Sequence, residues 1–113
     1  MKSSEKSKIE TYLGFCVRAR KISFGVDDVE NQRKGVFLLI ADEGLGASSM
    51  RVMIRAHERL HCPLLLVQTG ALGETLHKPA VKAAAVKDKN LAAAILTAAQ
   101  SEPQFKLYSG GTN

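Results

Sequence analysis

The segment with the most recognisable catalytic pattern is His57-Glu58-Arg59-Leu60-His61, which spells H-E-x-x-H. On a helix, this spacing places two histidines on one face, where they can bind Zn²⁺ while the Glu activates a water molecule. The periodicity of the preceding residues predicts such a helix, with both histidines on the same face. However, Pro63 disfavours helical conformation at Cys62, so His61 would lie in the last turn. We therefore interpret His57 and His61 as core or boundary residues and predict neither metal nor cofactor. A zinc hydrolase that uses His57, Glu58 and His61 is the third and weakest functional hypothesis.

Other catalytic patterns do not occur in the sequence. There is no G-x-x-x-x-G-K-[ST], no G-x-G-x-x-G and no G-x-S-x-G, which are typical of nucleotide-binding proteins and serine hydrolases. Asp42 and Glu43 follow an apolar run and could act as paired carboxylates, but polar loops commonly follow buried strands. The sequence therefore predicts that this protein is not an enzyme.

Hydrophobic periodicity predicts short helices that alternate with short apolar strands. Ser48 or Ser49 is expected to cap the third helix, and Asp88 the last one. This alternation predicts an α/β fold in which a sheet lies between two helical layers. The predicted helices are 7–20, 26–34, 48–60, 69–76 and 90–100, and the predicted strands are 36–41, 64–67 and 80–86.

Length and composition predict one domain. A chain of 113 residues has room for one hydrophobic core, which we place within residues 1–100. Residues 101–113 contain Pro103, Gly110 and Gly111 without a sustained period, so they are predicted to form a flexible tail. Residues 1–9 are mostly polar rather than charged and then apolar, and no apolar run approaches the roughly 20 residues that cross a bilayer, so we expect a cytoplasmic protein without membrane contact. The two cysteines are then expected to be reduced.

The charge distribution favours a polyanionic partner. The chain has 16 basic and 11 acidic residues, a net charge of +5, and the excess lies at the two ends of the sequence. Basic residues cluster at Arg18, Arg20 and Lys21 and again at Lys78, Lys82, Lys87 and Lys89. If the fold brings both sets together, they form one surface that contacts several phosphates. The alternative is a scatter of solvated lysines.

Several short strings, in their order along the chain, carry a family resemblance. They are Leu13-Gly14, Arg18-Ala19-Arg20-Lys21, Gly25, Asp28, 36–41 with Asp42, 63–67, Leu72-Gly73 and 83–86 with Asp88. Together they resemble the small bacterial members of the ribosomal L-seven-Ae and L-thirty-e superfamily, most closely its YlxQ-like branch, over residues 9–100. The resemblance implies a three-layer α-β-α sandwich with a mixed sheet of about four strands, which binds kink-turn or related RNA without catalysis.

The resemblance also implies an RNA-binding site. In kink-turn-binding members, a glycine, an Asn-Glu pair and a Lys three residues later open the second helix and contact sheared G·A pairs. In this chain Gly25 matches the family's glycine, and Asp28 stands in place of the Glu. Asp27 stands in place of the Asn, so the amide donor of that Asn is absent. Asn31 replaces the Lys and removes a cation.

A second family contact lies in the loop before the next strand, where Lys78 retains a cation and His77 replaces a glycine. The predicted RNA-binding residues are therefore Gly25, Asp27, Asp28, Asn31 and Lys78, with Arg18, Arg20 and Lys21 contacting phosphates. The first functional hypothesis is binding of structured RNA, including ribosomal RNA, with protein partners in a ribosome or translation context. The second is a protein-interaction module on the same fold that has lost specific RNA reading.

Overall fold

The structure is a computed structural model that describes residues 7–108. Helices and strands alternate along most of the chain, as the sequence predicts. None of the helices within this range is long and apolar enough to span a membrane. In chain order the elements are α1 (Lys8–Arg18), β1 (Ile22–Phe24), α2 (Val26–Glu30), β2 (Leu38–Asp42), α3 (Ala47–Leu60), β3 (Leu64–Val67), α4 (Ala71–Leu76), β4 (Ala83–Val86), α5 (Lys89–Ala99) and β5 (Phe105–Leu107).

The strands form one mixed sheet between two helical layers. Its order is β1-β4-β2-β3-β5, with β2 and β3 parallel and the other neighbours antiparallel. Helices α1, α4 and α5 cover one face, and α2 and α3 cover the other. The predicted α/β three-layer sandwich is therefore confirmed, with five strands within residues 7–108 rather than about four.

The central strand β2 shows why continuous apolar runs form the middle of this sheet. Leu38 and Ile40 pack into the core under α1 and α5, whereas Leu39 and Ala41 pack into the core under α2 and α3. A strand that is buried on both faces needs apolar residues at every position rather than at alternate ones. The run predicted at 36–41 therefore corresponds to β2.

The two edge strands, β1 and β5, were not predicted. Phe105 is only 5% exposed, and β5 pairs with β3. The prediction of a flexible tail is thus wrong for residues 101–108, because backbone pairing and one buried aromatic residue order this segment. Residues 109–113 of the predicted tail lie outside the described residues.

The caps and bounds of the helices agree only in part with those predicted from the sequence. The Asp88 carboxylate accepts a hydrogen bond from the Leu91 N–H at 2.8 Å and caps α5, as predicted. In contrast, α3 begins at Ala47 with Gly46 as its N-cap, so the expected capping by Ser48 or Ser49 is wrong. Helix α2 ends at Glu30 and is shorter than predicted.

The strand directions define two ends of the sheet. At one end, which we call the Gly25 end, β1, β2 and β3 finish and β4 and β5 begin. At the other, the Lys87 end, these directions are reversed. The Gly25 end comprises residues 24–28, 42–46, 68–70 and 77–82, and the Lys87 end comprises residues 18–21, 34–37, 61–63 and 87–89.

Candidate functional site

Gly25 joins the edge strand β1 to helix α2 at the Gly25 end. Its N–H donates a hydrogen bond to the Ala83 carbonyl at 2.8 Å, and its φ is 97°. Residues with a Cβ rarely adopt this conformation, although open space surrounds the position where a Cβ would lie. The glycine is therefore required by the backbone turn and not by a crowded neighbour.

Lys78 lies beside the residue that precedes Gly25. Its Nζ is 5.8 Å from the centroid of the Phe24 ring, within the range of a cation–π contact. The Lys78 N–H donates to the Gly73 carbonyl and the Lys78 carbonyl accepts from the Val81 N–H, both at 2.9 Å, which orders the loop. The structure thus brings together two segments that are distant in sequence.

The other predicted residues of α2 do not all lie with Gly25. Asp27 and Asp28 are exposed in the first turn, next to the glycine. Asn31, however, is the C-cap, and its N–H donates to the Asp27 carbonyl at 3.2 Å. Because α2 spans only five residues, Asn31 lies at the opposite end of the helix from Gly25.

Asp42 is a positioning residue that the sequence interpretation missed. Its buried carboxylate accepts hydrogen bonds from the N–H groups of Gly44 at 2.7 Å and Gly70 at 2.9 Å. These bonds join the loop after β2 to the loop after β3. Glu43 instead pairs with Lys106 at 3.2 Å. The signal in the sequence was an acid directly after a buried strand and before a glycine-rich loop.

The predicted basic residues divide between the two ends of the sheet. Lys21 lies at the Lys87 end, where its carbonyl accepts a hydrogen bond from the Lys87 N–H at 2.7 Å. Lys78 and Lys82 lie at the Gly25 end, because Lys82 precedes β4 and Lys87 follows it. The prediction that one surface holds all these cations is therefore wrong. Arg18 ends α1, and its guanidinium lies 5.0 Å from the centroid of the Phe15 ring on the same helix.

The H-E-x-x-H segment does not form a helical histidine pair. His61 is the C-cap of α3 with a φ of 54°, so the two histidines do not share a helical face. His57 Nδ1 contacts the Cys62 carbonyl, and its ring packs edge-on against Tyr108. Across residues 7–108, no three His, Cys, Asp or Glu side chains are grouped as metal ligands. Burial raises the pKa of Cys62 to about 11, which disfavours the thiolate that metals bind.

Comparison with known proteins identifies the fold but no function. No family model and no curated protein matches the chain. Among solved structures, it is similar to a protein with unknown function from Bacillus halodurans C, with a TM-score of 0.68 and 22% sequence identity. The match covers 82% of this chain and 97% of that chain. A similarity at this level of identity shows that the two chains share an α/β fold.

Proposed function

We propose that this chain is a non-enzymatic RNA-binding protein of the L-seven-Ae type, which binds structured, kink-turn-like or ribosomal RNA at the Gly25 end. One observation carries the proposal: Gly25 and Lys78, from the two segments that the family resemblance implies, meet at Phe24. The shared α/β sandwich is consistent with it.

The side chains at this end have complementary chemistry for a bent RNA. Lys78 is exposed and supplies a cation for a phosphate. Asp28 is also exposed, and its carboxylate accepts hydrogen bonds from guanine amino and imino groups. Asp42 positions the two neighbouring loops, so the RNA would meet an ordered surface.

A second candidate function is a protein-interaction module on the same fold. Asp27 and Asp28 are adjacent, exposed and without an ion-pair partner in the described part of the chain. Two carboxylates repel phosphates and attract a basic protein surface. This candidate is favoured if the Gly25 end shows no preference for a bent RNA.

A gel-shift comparison tests the first proposal with a kink-turn duplex and the same duplex lacking its G·A pairs. We expect tighter binding to the kink-turn, and we expect Lys78→Ala to weaken it without a change in thermal unfolding, because Lys78 is exposed. Lys8→Ala is the matched control, since Lys8 is an exposed lysine on α1. Equal, weak and salt-sensitive affinity for both duplexes would contradict specific reading of the kink.

A further inference from the structure

We infer that α3 binds the phosphate backbone of a double-stranded stem of the same RNA, through Arg51 and Arg55. The inference rests on the proposed RNA-binding function and adds a second surface to it. At this surface the RNA is held by its charge and not by its base sequence.

The arginines of α3 are spaced so that they form a row. Arg51, Arg55 and Arg59 recur at every fourth residue, and residues at this spacing are neighbours on a helix surface. Neighbouring members are about 6 Å apart along the helix axis, which is close to the separation of successive phosphates in an RNA strand. All three are exposed, whereas Met53 and Ala56 of the same helix are buried. We call this set the arginine row; it lies on the outer face of α3.

Two members of the arginine row lack an acidic partner. Neither Arg51 nor Arg55 forms an ion pair within residues 7–108. Glu58 is the only acid in α3, and it forms no ion pair in this range either. Like charges four residues apart destabilise a helix, so this pair weakens α3 in the isolated protein. A bound polyanion would remove the repulsion.

Arg59 connects the arginine row to α2. Its Nη2 donates hydrogen bonds to the carbonyl of Val29 at 3.4 Å and to those of Glu30 and Gln32 at 3.2 Å. Helix α2 begins next to Gly25, and α3 also begins at the Gly25 end of the sheet. An RNA that is bound at the Gly25 end can therefore continue along α3.

The chemistry of this face favours a phosphate backbone over a lipid surface. An amphipathic helix that binds a membrane places apolar side chains in the lipid. The buried apolar side chains of α3 instead pack into the core beneath it. Within the described residues, the exposed large apolar side chains lie on other segments, at Phe15, Val17, Phe37 and Leu107.

The residue types of α3 also indicate which form of RNA it binds. Its exposed cations are arginines, whose guanidinium groups bind phosphate oxygens through two N–H groups at once. The helix contains no Phe, Tyr or Trp on which an unpaired base would stack. A double-stranded stem, which presents phosphates and keeps its bases stacked, therefore fits this face better than a single strand.

Fluorescence anisotropy at several salt concentrations tests this inference with two labelled RNAs. One is a kink-turn with long flanking stems, and the other is the same duplex lacking its G·A pairs. We expect Arg51→Gln/Arg55→Gln to weaken binding to both RNAs by the same factor. The slope of log affinity against log salt should decrease by about 1.8, which is about 0.9 for each phosphate contact. Arg51→Lys/Arg55→Lys should retain the slope, because it keeps both charges.

The matched control is Lys8→Gln/Lys89→Gln, which removes two exposed cations from α1 and α5 on the other face of the sheet. It should retain the wild-type slope. Circular dichroism should show that all variants fold, because glutamine is a good helix former at exposed helical positions. An unchanged slope in Arg51→Gln/Arg55→Gln, or an equal decrease in the control, would overturn the inference.

The two RNAs separate this inference from the proposed function. A decreased slope together with equal wild-type affinity for both RNAs would remove kink-turn recognition and keep the arginine row. A kink-turn preference with an unchanged slope would do the reverse, and no RNA binding by the wild type would overturn both. The same variant is also measured on vesicles of phosphatidylcholine and phosphatidylserine. Loss of vesicle binding without loss of RNA binding would assign the arginine row to a membrane and overturn the inference.

Discussion

At the scale of single residues, the loops of the Gly25 end are ordered by a side chain that binds backbone N–H groups, Asp42, and not by the exposed side chains proposed to contact RNA. Gly25 and Lys78 could be identified from the sequence through the family resemblance. The role of Asp42 could not, because its two partners, Gly44 and Gly70, come from different loops. Nor could the contact of Lys78 with Phe24, since it depends on how β1 pairs with β4.

Gly73 is the residue that most directly supports the Lys78 loop. A Cβ at this buried position would lie 2.9 Å from the carbonyl oxygens of both Lys78 and Pro79. We expect Gly73→Ala to displace this loop, to destabilise the fold by about 1–3 kcal/mol, and to lower kink-turn affinity roughly tenfold. Urea unfolding and gel shifts measure the two effects.

The matched control for this substitution is Gly46→Ala. Gly46 has a φ of −67°, and no atom lies within 4 Å of its added Cβ. Because alanine is a poorer N-cap than glycine, Gly46→Ala should lower the free energy of unfolding by about 1 kcal/mol or less, without the loop displacement and the loss of kink-turn affinity expected for Gly73→Ala. An unchanged kink-turn affinity in Gly73→Ala would show that the position of the Lys78 loop does not matter for binding.

At the scale of elements, helices and central strands were predictable and edge strands were not. Strand β3 matches the apolar run 64–67, because full burial demands apolar residues at every position. Strands β1 and β5 have only three residues each, which is too few to show a hydrophobic period, and β5 has a single buried residue, Phe105. Helix α2 ends at Glu30, and residues 31–37 connect it to β2.

Strand β5 provides a direct test of the corrected C-terminal segment. Phe105 is 5% exposed in the core, whereas Leu107 on the same strand is 61% exposed. We expect Phe105→Ala to lower the free energy of unfolding by about 3–5 kcal/mol and Leu107→Ala by less than about 0.5 kcal/mol. Chemical denaturation measures both. Equal, small effects would mean that this segment is a tail after all.

At the scale of the whole molecule, the positive charge is divided between opposite ends of the sheet. The sequence predicts the excess charge but not this division, which arises because Lys82 precedes β4 and Lys87 follows it. The Gly25 end combines Lys78 with Asp27 and Asp28, whereas the Lys87 end is mainly basic. The two ends of the sheet therefore differ in charge.

We propose that this protein binds structured RNA at the Gly25 end. Ultraviolet crosslinking in cells, followed by sequencing of the attached RNA and mass spectrometry of the attached peptides, tests it most directly. We predict enrichment of a structured RNA and crosslinks in peptides that contain Gly25 or Lys78. Recovery of no RNA above the level of an uncrosslinked sample, or crosslinks that exclude both peptides, would contradict the claim.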